Sequence, residues 1–452
     1  MEHGAEGIDS DNIEEDVGDE PEESESEEAP LKKKSRVLKD DYVVRKPKSR
    51  IVAGWVELNR KIQPYLNNHY VRIVILILSL YFFIVGIKTM SGGFKDMGSD
   101  FSDNLIATAS NPLVGLFIGI LATSVIQSSS ATTSMVVTMV AAGVSGVVEP
   151  DEKVAQMHVF VSMAIPMIIG ANIGTSVTNM IVSFGHVTRG TEFERAFAGA
   201  VVHDFFNVIA ASILFPVELI TRHFWGQGLL QKLSIYLAER FVGTTGVGEL
   251  TFIDDMVGPI TEPIRESASS LGVQWLSVII GLIFLFIALK FITSSMRILI
   301  EGKLQVVLNK YLFKTPVTSF LFGLGLTALV QSSSITTSLV VPLVGGGVLS
   351  VEQIFPYTLG ANVGTTVTAL LAAFVESGST DDSTVAVAAL SIAFAHLLFN
   401  MISICIIYPF KKLPIGMAKR LGAYVAENKK MAVIYILVAF YGIPGLIILL
   451  LR

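Results

Sequence analysis

One four-residue word occurs twice in this chain, Gln127-Ser128-Ser129-Ser130 and Gln331-Ser332-Ser333-Ser334. Each copy sits at the centre of a long apolar stretch. The first reads GLFIGILATSVIQSSSATTSMVVTMV and the second SFLFGLGLTALVQSSSITTSLVVPLV. Hydrocarbon offers these side chains no water, so in a membrane they must face protein, a cavity or a ligand. Meeting that constraint twice points to a duplicated transport protein with a paired binding site.

Composition agrees with a membrane setting. Of 452 residues, 51% are hydrophobic and only 16% charged, as expected for an all-α integral membrane protein. The net charge of −6 comes largely from residues 1–30, which hold many Asp and Glu and no Lys or Arg. A basic run from Lys32 to Arg50 follows. Residues 1–50 therefore read as a disordered, acidic then basic, cytoplasmic tail, solvated in preference to a partner-recruiting scaffold. The acidic start also argues against a cleavable signal peptide. Cys405 is the sole cysteine, which excludes an intramolecular disulfide, and no N-x-[ST] acceptor occurs. No nucleophile–base pair, metal cluster or phosphate-cradling loop suggests an enzyme, and nothing suggests a nucleic-acid partner or a bound cofactor.

Seven segments are long and apolar enough to span, near 71–90, 154–185, 196–216, 273–299, 354–374, 385–410 and 431–451. The stretches 112–146 and 317–348 are too long for one untilted helix and short for two crossings. Each is expected to be a re-entrant helical hairpin with QSSS at its tip. With the N-terminus cytoplasmic, this arrangement places Arg189, Arg195, Arg297, Lys303, Lys310, Lys314 and the lysines of 411–430 inside. Glu149, Asp151, Glu152, Glu376, Asp381 and Asp382 fall outside. Inverted-topology repeats follow: 51–216 is the first, 217–272 an extracellular loop, and 273–410 the second. Residues 411–452 form a basic cytoplasmic loop and a last transmembrane helix.

Three motifs recur in register. QSSS-x-TTS repeats Thr132, Thr133 and Ser134 as Thr336, Thr337 and Ser338. Gly170-Ala171-Asn172-Ile173-Gly174-Thr175 is answered by Gly360-Ala361-Asn362-Val363-Gly364-Thr365. His203-x-x-Phe206-Asn207 is answered by His396-x-x-Phe399-Asn400. Hydroxyls and amides can ligate a bare cation through oxygen and an oxyanion through O–H and N–H. A broken helix adds unpaired backbone N–H groups, a ready anion site. The bland reading of a single Ser/Thr cluster is helix packing; three matched motifs outweigh it. His203 and His396 are expected to bond across the bundle rather than carry protons, with Asn207 and Asn400 as partners. Asp204 is the one acid near the middle of a predicted span, and Leu397 replaces it in the second half.

At these motifs the chain resembles the type II sodium-dependent phosphate cotransporters, over roughly residues 71–451. The likeness is strongest in GANIGTSVTNMIVSFGHVTRGTEFERAFAGAVVHDFFNV and VQSSSITTSLVVPLVGGGVLSVEQIFPYTLGANVGTTVTALLAA. It implies Na⁺-coupled symport of inorganic phosphate into the cell, across the plasma membrane, by a multi-pass protein. It implies one Na⁺ site from Gln331, Ser332, Thr365 and Thr368, and phosphate between the hairpins near Ser128, Ser129, Ser130, Ser333 and Ser334. Gln127, Asn172 and Asn362 are placed with the phosphate set, and Thr175 with the sodium set. Electrogenic family members resemble Ala-x-Ala-x₃-Asp, which this chain carries as Ala198, Ala200 and Asp204. Asp204 is thereby implied at an additional Na⁺ site. Unlike animal members, residues 217–272 contain neither cysteine nor glycan acceptor. A carrier of another small oxyanion, or a phosphate channel or efflux pathway, stays open as an alternative.

Overall fold

The structure is a computed structural model that describes residues 68–98, 111–147, 149–245, 252–300, 315–378 and 380–451. The acidic tail, the basic run and Lys303, Lys310 and Lys314 lie outside the described residues. Among these the secondary structure is helical throughout, without strands. Seven helical segments are long and apolar enough to cross a membrane: Tyr70–Asp96, Pro150–His186, Gly190–Trp225, Trp275–Ser295, Val351–Ser377, Ser383–Phe410 and Lys429–Leu451. Each coincides with a predicted span. The protein is an all-α integral membrane protein.

The two QSSS stretches are each broken into arms. The helix α1 (His69–Asp96) precedes α2 (Pro112–Ile126) and α3 (Ser129–Ser145), which meet at the first word. In the second half, α4 (Pro316–Val330) meets α5 (Ser333–Ser338) and its continuation α6 (Val341–Gly345). Both first arms begin alike, with a side-chain cap followed by proline at the first turn. Asn111 accepts from the Leu113 amide at 3.0 Å, and Thr315 forms a reciprocal capping box with Thr318. The second arms differ at one place: Pro342 stands where the first half has Thr138, and the helix is interrupted there because proline lacks the N–H and crowds the preceding turn.

Glycines set how closely the arms pack. The arm α2 lies against α7 (Pro150–Gly174), and α4 lies against α8 (Val351–Ser377). A Cβ on Gly170 would collide with the Leu116 carbonyl and one on Gly360 with the Phe320 carbonyl. Gly174 and Gly364 approach the Ile120 and Leu324 carbonyls so closely that a Cβ would stand 2.6 Å away in both. These are small-residue helix contacts, made twice. The conserved spacing within the chain also puts Pro166 and Pro356 four residues before Gly170 and Gly360. Helix α1 packs on α9 (Trp275–Ile300) through Gly86 and Gly281, which joins the two halves.

The stretch expected as an extracellular loop is helical over most of its described residues. Within 217–272, α10 (Gly190–Trp225) runs on to Trp225, and α11 (Leu229–Thr245) and α12 (Phe252–Ser270) follow. Gly226, at φ +75°, ends α10. The Glu218 carboxylate then accepts from the amides of Leu230 at 2.6 Å and Gln231 at 3.1 Å, capping α11 from the preceding helix. Pro259 and Pro263 in α12 argue for a break, but tertiary ion pairs hold it to α1. Lys88 meets Asp254 at 2.7 Å, and Arg265 grips Asp96 at 3.0 and 2.7 Å. The stretch 411–430 likewise contains a helix, α13 (Lys412–Glu427).

Candidate functional site: two strained turns and a histidine–asparagine lattice

Gln127 and Gln331 are the only described non-glycine residues with positive φ, and both stand at φ 58°, ψ 26°. A side chain in this left-handed region costs about 1–2 kcal/mol. Such strain persists only where surroundings compensate it, and it concentrates at functional positions. The compensation is the same in both halves. Gln127 Nε2 donates to the Ser124 carbonyl, and Gln331 Nε2 to the Ala328 carbonyl. Thr178 donates to Gln127 Oε1 at 2.8 Å, and Thr368 to Gln331 Oε1 at 2.7 Å. The next residue turns extended and caps the second arm. Ser128 accepts from the Ala131 amide at 3.2 Å and Ser332 from the Ile335 amide at 3.4 Å.

The tips touch. Ser130 Oγ donates to the Gln331 carbonyl at 3.1 Å, and Thr368 Oγ1 lies 3.4 Å from Ser130 Oγ. Gln331, Thr368 and Ser130 thus form one cluster drawn from both halves, with Ser332 adjoining it in sequence. Ser129, Ser130, Ser333 and Ser334 are all buried. No Lys or Arg is among the described residues that hydrogen-bond to these tips. Thr175 and Thr365 turn inward on their own helices, each donating at 3.0 Å to a carbonyl four residues earlier.

Asn172 and Asn362, grouped above with phosphate, hydrogen-bond the two histidines. The ring Nε2 of His203 pairs with Asn362 Oδ1, and that of His396 with Asn172 Oδ1 at 3.2 Å. Asn362 Nδ2 donates to Asn207 Oδ1 at 2.8 Å, and Asn207 Nδ2 to the Asn172 carbonyl at 2.9 Å. Asn400 Nδ2 reaches the Asn362 carbonyl at 3.3 Å. Each half's histidine therefore holds the other half's asparagine, an interlocking lattice in which every one of these residues is buried. The expected cross-bundle role of the histidines is what the geometry shows.

Asp204 is fully buried on α10 and takes no part in the tip cluster. Its Oδ2 accepts from the Tyr435 hydroxyl. Ser176 lies beside it, with its hydroxyl 3.3 Å from His203 Nδ1. Sequence reasoning missed Thr178, Asn179, Tyr357 and Tyr435. Thr178 was available from the repeat, since it stands eight residues after Gly170 as Thr368 does after Gly360. Asn179 accepts from Thr337 and Ser338, both at 2.9 Å, and its counterpart Ala369 gives no such signal. Tyr357 donates to the Thr336 carbonyl at 2.8 Å.

Comparison with known proteins bears on what this duplicated site belongs to. The family model described as Na+/Pi-cotransporter matches residues 82–150 and 275–420, which include both QSSS words. Among curated relatives, sodium-dependent phosphate transport protein 2B of Homo sapiens is 31% identical over 461 residues, covering 82% of this chain and 64% of that protein. Protein 2A of Rattus norvegicus is 33% identical over 439 residues, covering 81% of this chain and 66% of the relative. Protein 2A of Oryctolagus cuniculus is 32% identical over 469 residues, covering 87% of this chain and 69% of the relative. The chain thus spans somewhat less than two thirds of the first two proteins' length. No solved structure matches it. The likeness extends across both halves that carry the paired turns, and by it the chain belongs to the Na+/Pi-cotransporter family.

Proposed function

We propose that this protein is a secondary active transporter, not an enzyme, that couples Na⁺ entry to uptake of inorganic phosphate. The observation that carries the proposal is the contact of two strained, serine-rich helix breaks, with Gln331, Thr368 and Ser130 converging from different halves. Breaks of this kind offer carbonyl and hydroxyl oxygens to a cation and free amides to an anion. Gln331, Ser332, Thr365 and Thr368 are proposed to hold one Na⁺, with Thr175 on the equivalent face of the first half. Phosphate is proposed to lie by Gln127, Ser128, Ser129, Ser130, Ser333 and Ser334. An anion bound by hydroxyls, amides and companion Na⁺, without a fixed cation, is released readily. Asn172 and Asn362 support the site through the lattice with His203 and His396.

The two hairpins are proposed to re-enter the membrane from opposite faces, in inverted repeats over 51–216 and 273–410, with the N-terminus cytoplasmic in the plasma membrane. Polar pairing supports that topology. Lys153–Asp382, Lys88–Asp254 and Arg265–Asp96 join segments assigned outside, whereas Lys419–Glu352 joins segments assigned inside.

Asp204 is proposed at a further Na⁺ site that makes transport electrogenic. One net charge moving through about 100 mV contributes about 2.3 kcal/mol, roughly 50-fold in accumulation at about 1.4 kcal/mol per tenfold. The test is labelled phosphate uptake in proteoliposomes, with and without a Na⁺ gradient and an imposed voltage, with sulfate and arsenate as competitors. Uptake indifferent to Na⁺ would defeat the reading. Asp204→Gly is expected to abolish phosphate-induced current while retaining some Na⁺-dependent uptake.

A further inference from the structure

The last spanning segment stands outside the three matched motifs, yet it is docked on two points of the first half. It consists of α14 (Lys429–Leu437), a π-helical turn over Val438–Gly442, and α15 (Ile443–Leu451). From α14, Tyr435 donates to Asp204 Oδ2. From the π turn, Tyr441 donates at 2.8 Å to the Ser124 carbonyl, the same carbonyl that Gln127 Nε2 uses. One helix therefore holds both the buried acid and the strained turn. The corresponding positions of the second half are Leu397 and Ala328. Single π turns within helices are frequent at functional sites.

The carboxylate is not saturated by this contact. Asp204 Oδ1 makes no hydrogen bond of good geometry, although the residue is 0% exposed, and only the Ser176 hydroxyl stands near the carboxylate besides Tyr435. Leaving a buried carboxylate oxygen unpaired is costly. A cavity of about 310 Å³ adjoins it, lined by Asp204 and Tyr435 and otherwise mainly by apolar residues such as Leu116, Ile120, Val208 and Phe440. The apolar lining cannot answer this oxygen; a cation can, in company with the Ser176 hydroxyl that stands beside the carboxylate.

We propose that Tyr435 is a positioning residue for the Na⁺ at Asp204. By donating to Oδ2 it fixes the carboxylate's rotation and leaves Oδ1 to ligate the ion. The last helix is thereby a working part of the site at which the two halves differ. The inference rests on the reading of Asp204 as a Na⁺ site.

The test is the Na⁺ dependence of labelled phosphate uptake by the full chain in proteoliposomes, for wild type, Tyr435→Phe, Asp204→Gly and the double variant. Tyr435→Phe is expected to raise the half-saturating Na⁺ concentration about tenfold, as for loss of one hydrogen bond to a charged group. Half-saturation by phosphate at high Na⁺ should stay unchanged, and the substitution should add nothing in the Asp204→Gly background. Tyr435→Met, a second donor-free variant, carries the same expectation where Tyr435→Phe does not insert. Wild-type Na⁺ dependence in the variants overturns the proposal, as does an equal shift in the Asp204→Gly background or a shift in phosphate alone. Uptake by wild type without any Na⁺ dependence overturns the symport reading as well, so the two failures are distinct.

Discussion

A single threonine decides what each strained glutamine can offer. Thr368 satisfies Gln331 Oε1 at 2.7 Å while touching Ser130 of the other half. Thr368→Val keeps the shape and removes the hydroxyl, so it is expected to raise the half-saturating Na⁺ concentration about tenfold, from loss of roughly 1–1.5 kcal/mol of hydrogen bonding. A Na⁺ titration of uptake checks this, and an unchanged titration would remove Thr368 from the site. Asn362 makes the opposite case. Its amide is spent on His203 and Asn207, so Asn362→Ala leaves buried polar groups unpaired. It should cost about 1–3 kcal/mol of stability, read as a lower melting temperature in detergent without phosphate. Unaltered melting with only a weakened phosphate affinity would instead make Asn362 a ligand. The composition of Asn172 and Asn362 does not separate these roles, because an amide serves a histidine or an oxyanion equally well.

At the level of elements, the arms that meet at each QSSS word rely on close backbone contact with a neighbouring helix. Gly170 and Gly360 sit where a Cβ would enter a neighbouring helix's carbonyl. Alanine at either position must push α2 from α7, or α4 from α8, at about 1–3 kcal/mol as overpacking. Reduced yield of folded protein and a lower melting temperature are the expected results for both variants, and equal melting for wild type and Gly170→Ala would show that the arms tolerate separation. The arms themselves were legible beforehand. Their break at QSSS is local chemistry, a polar word inside an apolar stretch. The helices α11 and α12 were not, because their stabilisation comes from Glu218, Lys88 and Asp96 in other helices. Helix α12 forms in spite of Pro259 and Pro263 for the same reason: propensity yields to tertiary contact.

For the whole molecule, the proposed topology predicts sidedness that chemistry can read. In a Cys405→Ser background, a cysteine at Asp381 should react with an impermeant thiol reagent from outside intact cells, and one at Lys412 only after permeabilisation. Labelling of Lys412→Cys in intact cells would reverse the assignment. The ion pairs agree in placing Asp382 with Lys153 and Glu352 with Lys419, separated by the length of α8. The interlock of His203 with Asn362 and His396 with Asn172 makes the two halves mechanically dependent. A motion that separates them must break both pairs, which suits an alternation between discrete packed states better than gradual deformation.

By itself the sequence determined what is encoded locally or by repetition. Apolar length specified the seven spans, and misplaced polarity specified the two breaks. Duplication matched Thr132–Ser134 with Thr336–Ser338 and Asn172 with Asn362, and singled out Asp204 as the exception. Only the tertiary structure decided which of these groups meet. Ser130 finds Gln331 across 201 residues, His203 finds Asn362 across 159, and Tyr435 finds Asp204 across 231. Such partners carry no local signature, because a hydroxyl or amide in a membrane helix must be satisfied but does not say by what. Packing makes that choice: close glycine contacts fix the distance between helices, and the distance selects the partner.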